Sequence, residues 1–251
     1  IPSQMIFDFK GKNTLTLNEI AILDMINTNA KNGWKRPIYY AVTVGPDMFM
    51  NMRPYFSRVG LAYRITPVKG DNDGSIDSEK MYDNMMNKFE WGGIDNPDVY
   101  LDENIRRMCY TLRMMFVDLI DQLIAEGKND KALKALDYSM EKIPSTAIPH
   151  DYISIQMAND YYHLGQTEKA TALLKEIADN SMSYLRWYTT LTANQLRSVN
   201  RDMQMHQFIM IRNVLPIFLG QNQKDLAMKY IQELKEVNLD PTSVLKEMIG
   251  E

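Results

Sequence analysis

Apolar residues fall in short unbroken runs near the start of the chain and at helical spacing through the rest, and that contrast divides it. Thr16 and Glu19 have the spacing of a capping box, and Ile20, Leu23 and Ile26 follow on one face, which predicts a helix over 17–29. MIFDF at 5–9 predicts a strand before it. PIYYAVTV at 37–44 is β-branched and aromatic and stops at Gly45-Pro46, which predicts a strand after it. A run apolar on both sides is expected at the centre of a sheet with both faces covered, and Pro37 is tolerated at its first position. LAYRITPV at 61–68, between Gly60 and Gly70, predicts another strand, with a short helix between 47 and 57. KGDNDGSID at 69–77 is loop by composition, and Tyr82, Met85, Met86 and Phe89 form the stripe of a helix over 78–89. Together these elements predict a small α/β unit over 1–90.

WGGIDNPDVYL at 91–101 has the turn chemistry of a connector, and from Asp102 the pattern is helical almost to the end, giving a second domain over 102–251. Within it, LIAEGKNDKALKALDYSMEKIP (123–144) aligns with YYHLGQTEKATALLKEIADNSM (161–182). Gly127 and Gly165 stand 38 positions apart, as do Ala132 and Ala170, and Leu136 or Leu174 follows each Ala by four. Small residues let two antiparallel helices approach, and the Gly turns the chain between them. LGQNQKDLAMKYIQELKEVNLDP (219–241) reads as a worn third copy, with Gly220 at the turn, Asp225 in the small-residue position and Pro216 in the preceding helix. Asp240-Pro241 then opens a last helix. The pattern resembles the tetratricopeptide repeat, whose usual period of about 34 residues is shorter. The resemblance implies tetratricopeptide-like helical hairpins in a right-handed α-solenoid, so the whole chain is expected to be α+β, mainly α.

Composition narrows the chemistry. The 251 residues are 45% hydrophobic and 24% charged, with a net charge of -4, so the chain buries a core and lacks the basic face of a nucleic-acid binder. Cys109 is the one cysteine, which excludes an internal disulfide and a cysteine-rich metal site. His150, His163 and His206 are not spaced as metal pairs. No apolar run approaches the roughly 20 residues that span a bilayer. The chain opens on Ile1-Pro2 and is expected to be a fragment of something longer, so this says nothing of the parent.

No phosphate-binding loop, zinc-protease or nucleophile-elbow motif is present. DNDGSID imitates the middle of a calcium loop, but the first and last ligand positions fall on Lys69 and Lys80, so a polar loop with Asp77 or Ser78 capping the next helix is expected. Asp95, Asp98, Asp102 and Glu103, beside Arg106 and Arg107, read as helix-start acids favoured by the helix dipole. Trp34, Tyr39, Tyr40, Tyr55, Phe56 and Tyr63 would suit a sugar face, but alternation sends Tyr39 and Tyr40 to opposite sides, and core packing is the expected use. Arg36 and Arg64 are candidates for a carboxylate or phosphate, or for structural ion pairs. Tyr152, Asn159 and Tyr162 share one face of a first repeat helix, where the tetratricopeptide resemblance places a peptide groove. Cys109 and most of the 19 methionines fall at core spacing. No catalytic residue, metal or cofactor is expected.

LTLNEIAILDMINTN, GWKRPIYYAVTVG, YFSRVGLAYRITPV, MYDNMMNKFEWGG and YLDENIRRM form an ordered series, with Trp34-x-Arg36-Pro37-Ile38-Tyr39-Tyr40-Ala41 its most specific piece. The series, over residues 14–145, resembles the soluble C-terminal region of large multi-pass bacterial membrane proteins. That family is grouped with GT-C-type protein O-mannosyltransferases, and its eukaryotic relatives end in tetratricopeptide repeats. The resemblance implies that the parent transfers a sugar from a polyprenyl-phosphate donor to a protein hydroxyl, with its catalytic acids in the membrane half. It implies for this chain a non-catalytic accessory domain, periplasmic and tethered to the inner membrane. Its expected partners are the membrane-embedded half, with Trp34 and Arg36 at the contact, and an acceptor polypeptide or partner protein. A carbohydrate-binding module built on the strand aromatics and an independent enzyme are the competing expectations.

Overall fold

The computed structural model describes residues 5, 6, 8, 9, 11, 13–70, 74–242, 244 and 245. The chain is mainly helical with a small mixed sheet near its start. It divides into two compact units, 1–92 with 121–135, and 93–120 with 136–251.

In the first unit, α1 (Leu17–Lys31) begins as its capping box requires: the Glu19 carboxylate accepts the Thr16 N–H at 2.8 Å and the Thr16 hydroxyl at 2.9 Å. Four short strands follow, β1 (Tyr39–Ala41), β2 (Phe56–Arg58), β3 (Ala62–Ile65) and β4 (Ser75–Ile76), in the order β1-β3-β2-β4. β3 pairs antiparallel with both neighbours, and β4 runs parallel to β2. The register puts Tyr40, Tyr63, Arg58, Phe56 and Ile65 on one face, and Tyr39, Arg64, Ser57 and Ser75 on the other. On the second face Tyr39 and Ser75 are exposed and Ser57 and Arg64 half-buried; the fully buried side chains lie on the first. Tyr40, Phe49, Phe56 and Tyr63 stack there with ring centroids 5.1–5.8 Å apart, over Ile26, Met50, Met52 and Ile65.

The structure therefore corrects the central-strand expectation for PIYYAVTV. β1 is an edge strand of three residues, Tyr39 is 43% exposed, and the chain turns away at once where the Val44 N–H meets the Ala41 carbonyl at 3.0 Å. Its aromatics serve one buried face. MIFDF is not a strand in its described residues; Ile6 is held instead by the Tyr55 hydroxyl, which accepts from its N–H at 3.0 Å and donates to its carbonyl at 2.7 Å. The helix expected over 47–57 is two single 3₁₀ turns, Pro46–Phe49 and Arg53–Tyr55, separated by Met50 and Asn51 with φ of 48° and 58°. Further on, the Asp77 carboxylate caps α2 (Ser78–Asp83) through the Lys80 N–H at 3.1 Å, and a π turn over Asn84–Lys88 extends it. Its buried apolar side chains are Met81 and Met85. Ser78 donates to Glu126 at 2.6 Å, and Lys128 pairs with both Glu126 and Glu79, which holds the Glu126 carboxyl down to about 2.

The remaining helices are α3 (Glu103–Ala125), α4 (Asn129–Lys142), α5 (Tyr152–His163), α6 (Thr167–Tyr188), α7 (Ala193–Ser198), α8 (Asn200–Phe208), α9 (Leu215–Gly220) and α10 (Lys224–Glu236). α5 packs along α6, and α6 also packs on α8 and α10. One turn recurs. After α3, α5 and α9 a residue with φ of 71°, 74° or 60° closes the helix, and the next N–H reaches back five residues to a carbonyl at 2.8 Å. The three positions are Gly127, Gly165 and Asn222, and five residues beyond each lies a fully buried alanine, Ala132, Ala170 or Ala227. The third copy is thus shifted by two from the expected register: Gly220 ends α9, Asn222 takes the left-handed position, and Ala227 rather than Asp225 is the small residue. Asn tolerates this conformation because its short polar side chain bonds locally. Pro216 is accommodated by a π turn over Ile209–Val214 between α8 and α9, where the Asn213 amide donates to the Phe208 carbonyl at 3.1 Å.

Candidate functional sites

Three places in the second unit gather chemistry. The first is buried. Cys109, Arg113, Phe116 and Ile120 follow one another on the inner face of α3, so Arg113, 1% exposed, is drawn into the core. Its guanidinium donates to the carbonyls of Pro149 at 3.0 Å, Ile143 at 3.2 Å and Ile148 at 2.8 Å, closing the loop before α5. Beside it the His150 Nδ1 lies 2.9 Å from the Ser154 Oγ, and its Nε2 lies 3.9 Å from the Glu176 carboxylate. A serine, a histidine and a glutamate in line have the order of a nucleophilic triad, but Ser154 is wholly buried and His150 5% exposed, so no substrate reaches the hydroxyl. The arrangement is a structural polar knot. Burial, reinforced by the Arg113 charge, pushes the His150 imidazole down to about 3. Burial raises Cys109 and Asp151, with Arg113 opposing both shifts.

A pH dependence follows. The unfolded chain takes a proton on this histidine near its ordinary value of about 6.5, whereas the folded chain refuses it down to about 3. The stability is complete above the unfolded value and is lost as pH falls through the window between the two. Between pH 7 and pH 5 urea unfolding should show a loss of about 2 kcal/mol, absent in His150→Gln. Asp151, with its raised folded value, works in the opposite sense and offsets part of the loss at the acid end.

The second place is an aromatic surface on α5, α6 and α8. Tyr152, at the start of α5 behind its Asp151 cap, meets Phe208 of α8 with ring centroids at 5.8 Å. Two residues before Phe208, the His206 ring stacks on Tyr184 of α6 at 4.5 Å, and its Nδ1 lies 3.3 Å from the Ser181 Oγ. Trp187 adjoins Tyr188 on the same helix. Tyr152, Tyr184, Trp187, Met205 and Phe208 all keep large parts of their side chains in solvent. Scattered exposed rings carry little meaning, whereas exposed rings in contact between helices, Tyr152 on Phe208 and Tyr184 on His206, are what partner surfaces are made of.

The third place is a pair of open depressions at the 96–101 connector and the first turns of α3, which share Tyr100, Leu101 and Arg106.

The residues singled out by sequence are placed as follows. Tyr152 belongs to the aromatic surface, and Asn159 is half-buried on the same helix. Tyr162 points to the other end of α5, where its hydroxyl lies 3.1 Å from Thr171 and donates to the Gln223 side chain at 3.2 Å. Trp34 has a φ of 58° and lies half-buried against the sheet core. Arg36 is exposed, but its main chain is clamped by the Asn29 amide at 2.6 and 3.1 Å. Neither Arg36 nor Arg64 forms an ion pair among the described residues. The strand aromatics form the core described above, Tyr39 excepted. Asp102 caps α3 through the Ile105 N–H at 2.8 Å, and Glu103 pairs with Arg107 at 2.8 Å. Cys109 is a buried core residue. Asp71, Asn72 and Asp73 of the calcium-loop imitation lie outside the described residues. Among the described residues no three His, Cys, Asp or Glu side chains gather as a metal site, and no helix is long and apolar enough to cross a membrane.

Residues 1–85 match the family model described as TMEM260-associated domain 2, which relates this segment of the chain to that family. No curated protein and no solved structure matches the chain.

Proposed function

We propose that the chain is a non-catalytic, extracytoplasmic accessory domain of a membrane-bound glycosyltransferase-like protein, and that it holds an acceptor polypeptide or a partner protein. The observation that carries this reading is the exposed, contacting pair Tyr152 and Phe208, with Tyr184 and Trp187 exposed on α6. Tyrosine and tryptophan there offer broad amphipathic contact at low entropic cost, which suits an extended peptide. The family match over 1–85 and the resemblance over 14–145 support the membrane-bound parent and, with it, a periplasmic location. In this reading the helices after Asp102 are tetratricopeptide-like hairpins of a right-handed solenoid, supported by the recurrent turn and its buried alanine. Arg36, exposed on a clamped backbone beside Trp34, is the contact offered to the membrane-embedded half.

Tryptophan fluorescence of the chain titrated with a reduced, carboxymethylated polypeptide should saturate. Tyr152→Ala and Phe208→Ala should each weaken binding about tenfold, with an unchanged circular dichroism spectrum. An absent response, or one that both variants leave intact, would reject the reading.

A further inference from the structure

We propose that the paired depressions at Tyr100 and Arg106 are a binding site for a neutral pyranose unit of a glycan. This goes beyond the polypeptide reading and uses none of its residues.

The two hollows hold about 350 Å³ and about 480 Å³ and join along Tyr100, Leu101 and Arg106. The larger hollow continues along α3 past the Glu103–Arg107 pair towards Tyr110, and the smaller is walled by the 96–101 connector and by the loop before α5. Tyr100 is 87% exposed, the most exposed of the large hydrophobic side chains described. One exposed ring says little by itself; here it lines both hollows, among polar groups with spare capacity. Arg106 has no carboxylate partner among the described residues, whereas its neighbour Arg107 is paired with Glu103. Asn96 accepts the Asp98 N–H at 3.0 Å on its side-chain oxygen, which leaves its amide N–H groups to donate. Asp98 and Thr146 complete the wall.

The mixture decides the ligand class. A phosphate offers only acceptors and a negative charge; it would satisfy Arg106 and be repelled by Asp98 in the same wall. A sugar ring carries hydroxyls that donate to a carboxylate and accept from a guanidinium or an amide, and its C–H face lies flat on a phenol ring. Asp98, Asn96, Thr146 and Arg106 around Tyr100 supply each of these.

The test is saturation-transfer NMR on the chain with the methyl glycosides of glucose, galactose and mannose, and with inorganic phosphate in parallel. Transfer to the ring C–H protons of at least one glycoside is expected, with Kd of about 1 mM as suits a single residue in an open site. Tyr100→Ala and Arg106→Gln should each weaken it about tenfold, and Tyr100→Phe should retain it. Both side chains are exposed, so thermal melts of the variants should match the parent chain. Lack of transfer to all three glycosides, or unaltered binding in Tyr100→Ala, overturns the site. Preferential binding of inorganic phosphate, or displacement of the glycoside by the polypeptide probe, overturns the assigned class. Polypeptide binding itself should persist in Tyr100→Ala, which separates failure here from failure of the proposed function.

Discussion

Arg113→Ala should destabilise the chain by about 3–5 kcal/mol, measured by urea unfolding. The side chain is 1% exposed, and its guanidinium closes on three main-chain carbonyls over a span of seven residues, Ile143 to Pro149. Truncation removes the donors from two buried acceptors and one partly buried one, and each buried acceptor left unpaired costs about 1–3 kcal/mol. It also takes a cation away from Asp151 and opens a hole beneath Tyr110, whose ring lies 5.6 Å from the guanidinium carbon. Arg113→Lys keeps the charge but not the fork, and should recover less than half of the loss. If Arg113→Ala unfolds within about 1 kcal/mol of the parent chain, water has replaced the guanidinium and the loop is not held by it.

Gly74→Ala should cost about 3 kcal/mol in the same assay. Gly74 has a φ of 86°, and a Cβ built there would meet the Phe56 carbonyl oxygen at 2.7 Å and the Arg53 carbonyl oxygen at 2.9 Å. Both obstacles are backbone, so neither swings aside as a flexible side chain would. The close approach is what lets β4 lie parallel beside β2. Gly33 gives the control: its φ is 70°, but nothing lies within 4 Å of its added Cβ. Gly33→Ala should therefore lose only the left-handed backbone preference, about 1–2 kcal/mol. Equal losses at the two positions would show that crowding at Gly74 is relieved by movement of the sheet.

Much of the local structure was legible because it depends on neighbours in sequence. The Thr16–Glu19 capping box is present, and of Asp77 and Ser78 it is Asp77 that caps α2; the Asp240 carboxylate accepts the Thr242 N–H at 3.0 Å, while most of the helix expected after it lies outside the described residues. Gly127 and Gly165, with their alanines, sit as the internal alignment placed them. The third copy is shifted because Asn222, not a glycine, takes its left-handed position, which the same backbone geometry accepts. β1 went to the edge because alternation along a strand records which residues face inward, not how many strands lie alongside. β2 and β4, three and two residues long, are too short to leave a periodic signature.

The candidate sites were less legible. Of the residues chosen from sequence, Tyr152 alone stands in the aromatic surface; Phe208, Tyr184, Trp187 and His206 come from helices far along the chain. Arg113 left one readable sign, its place at helical spacing between Cys109 and Phe116, but an arginine is ordinarily counted as surface. Tyr100 read as a connector residue, and its setting depends on Arg106 and on a loop more than forty residues away.

The sequence by itself determined where helices begin and turn and which residues are apolar, since caps, left-handed positions and periodicity act over a few residues. Only the tertiary structure decided which strand lies at the edge, which cation is buried, and which rings are left in solvent, because those depend on segments that meet only when the chain is folded.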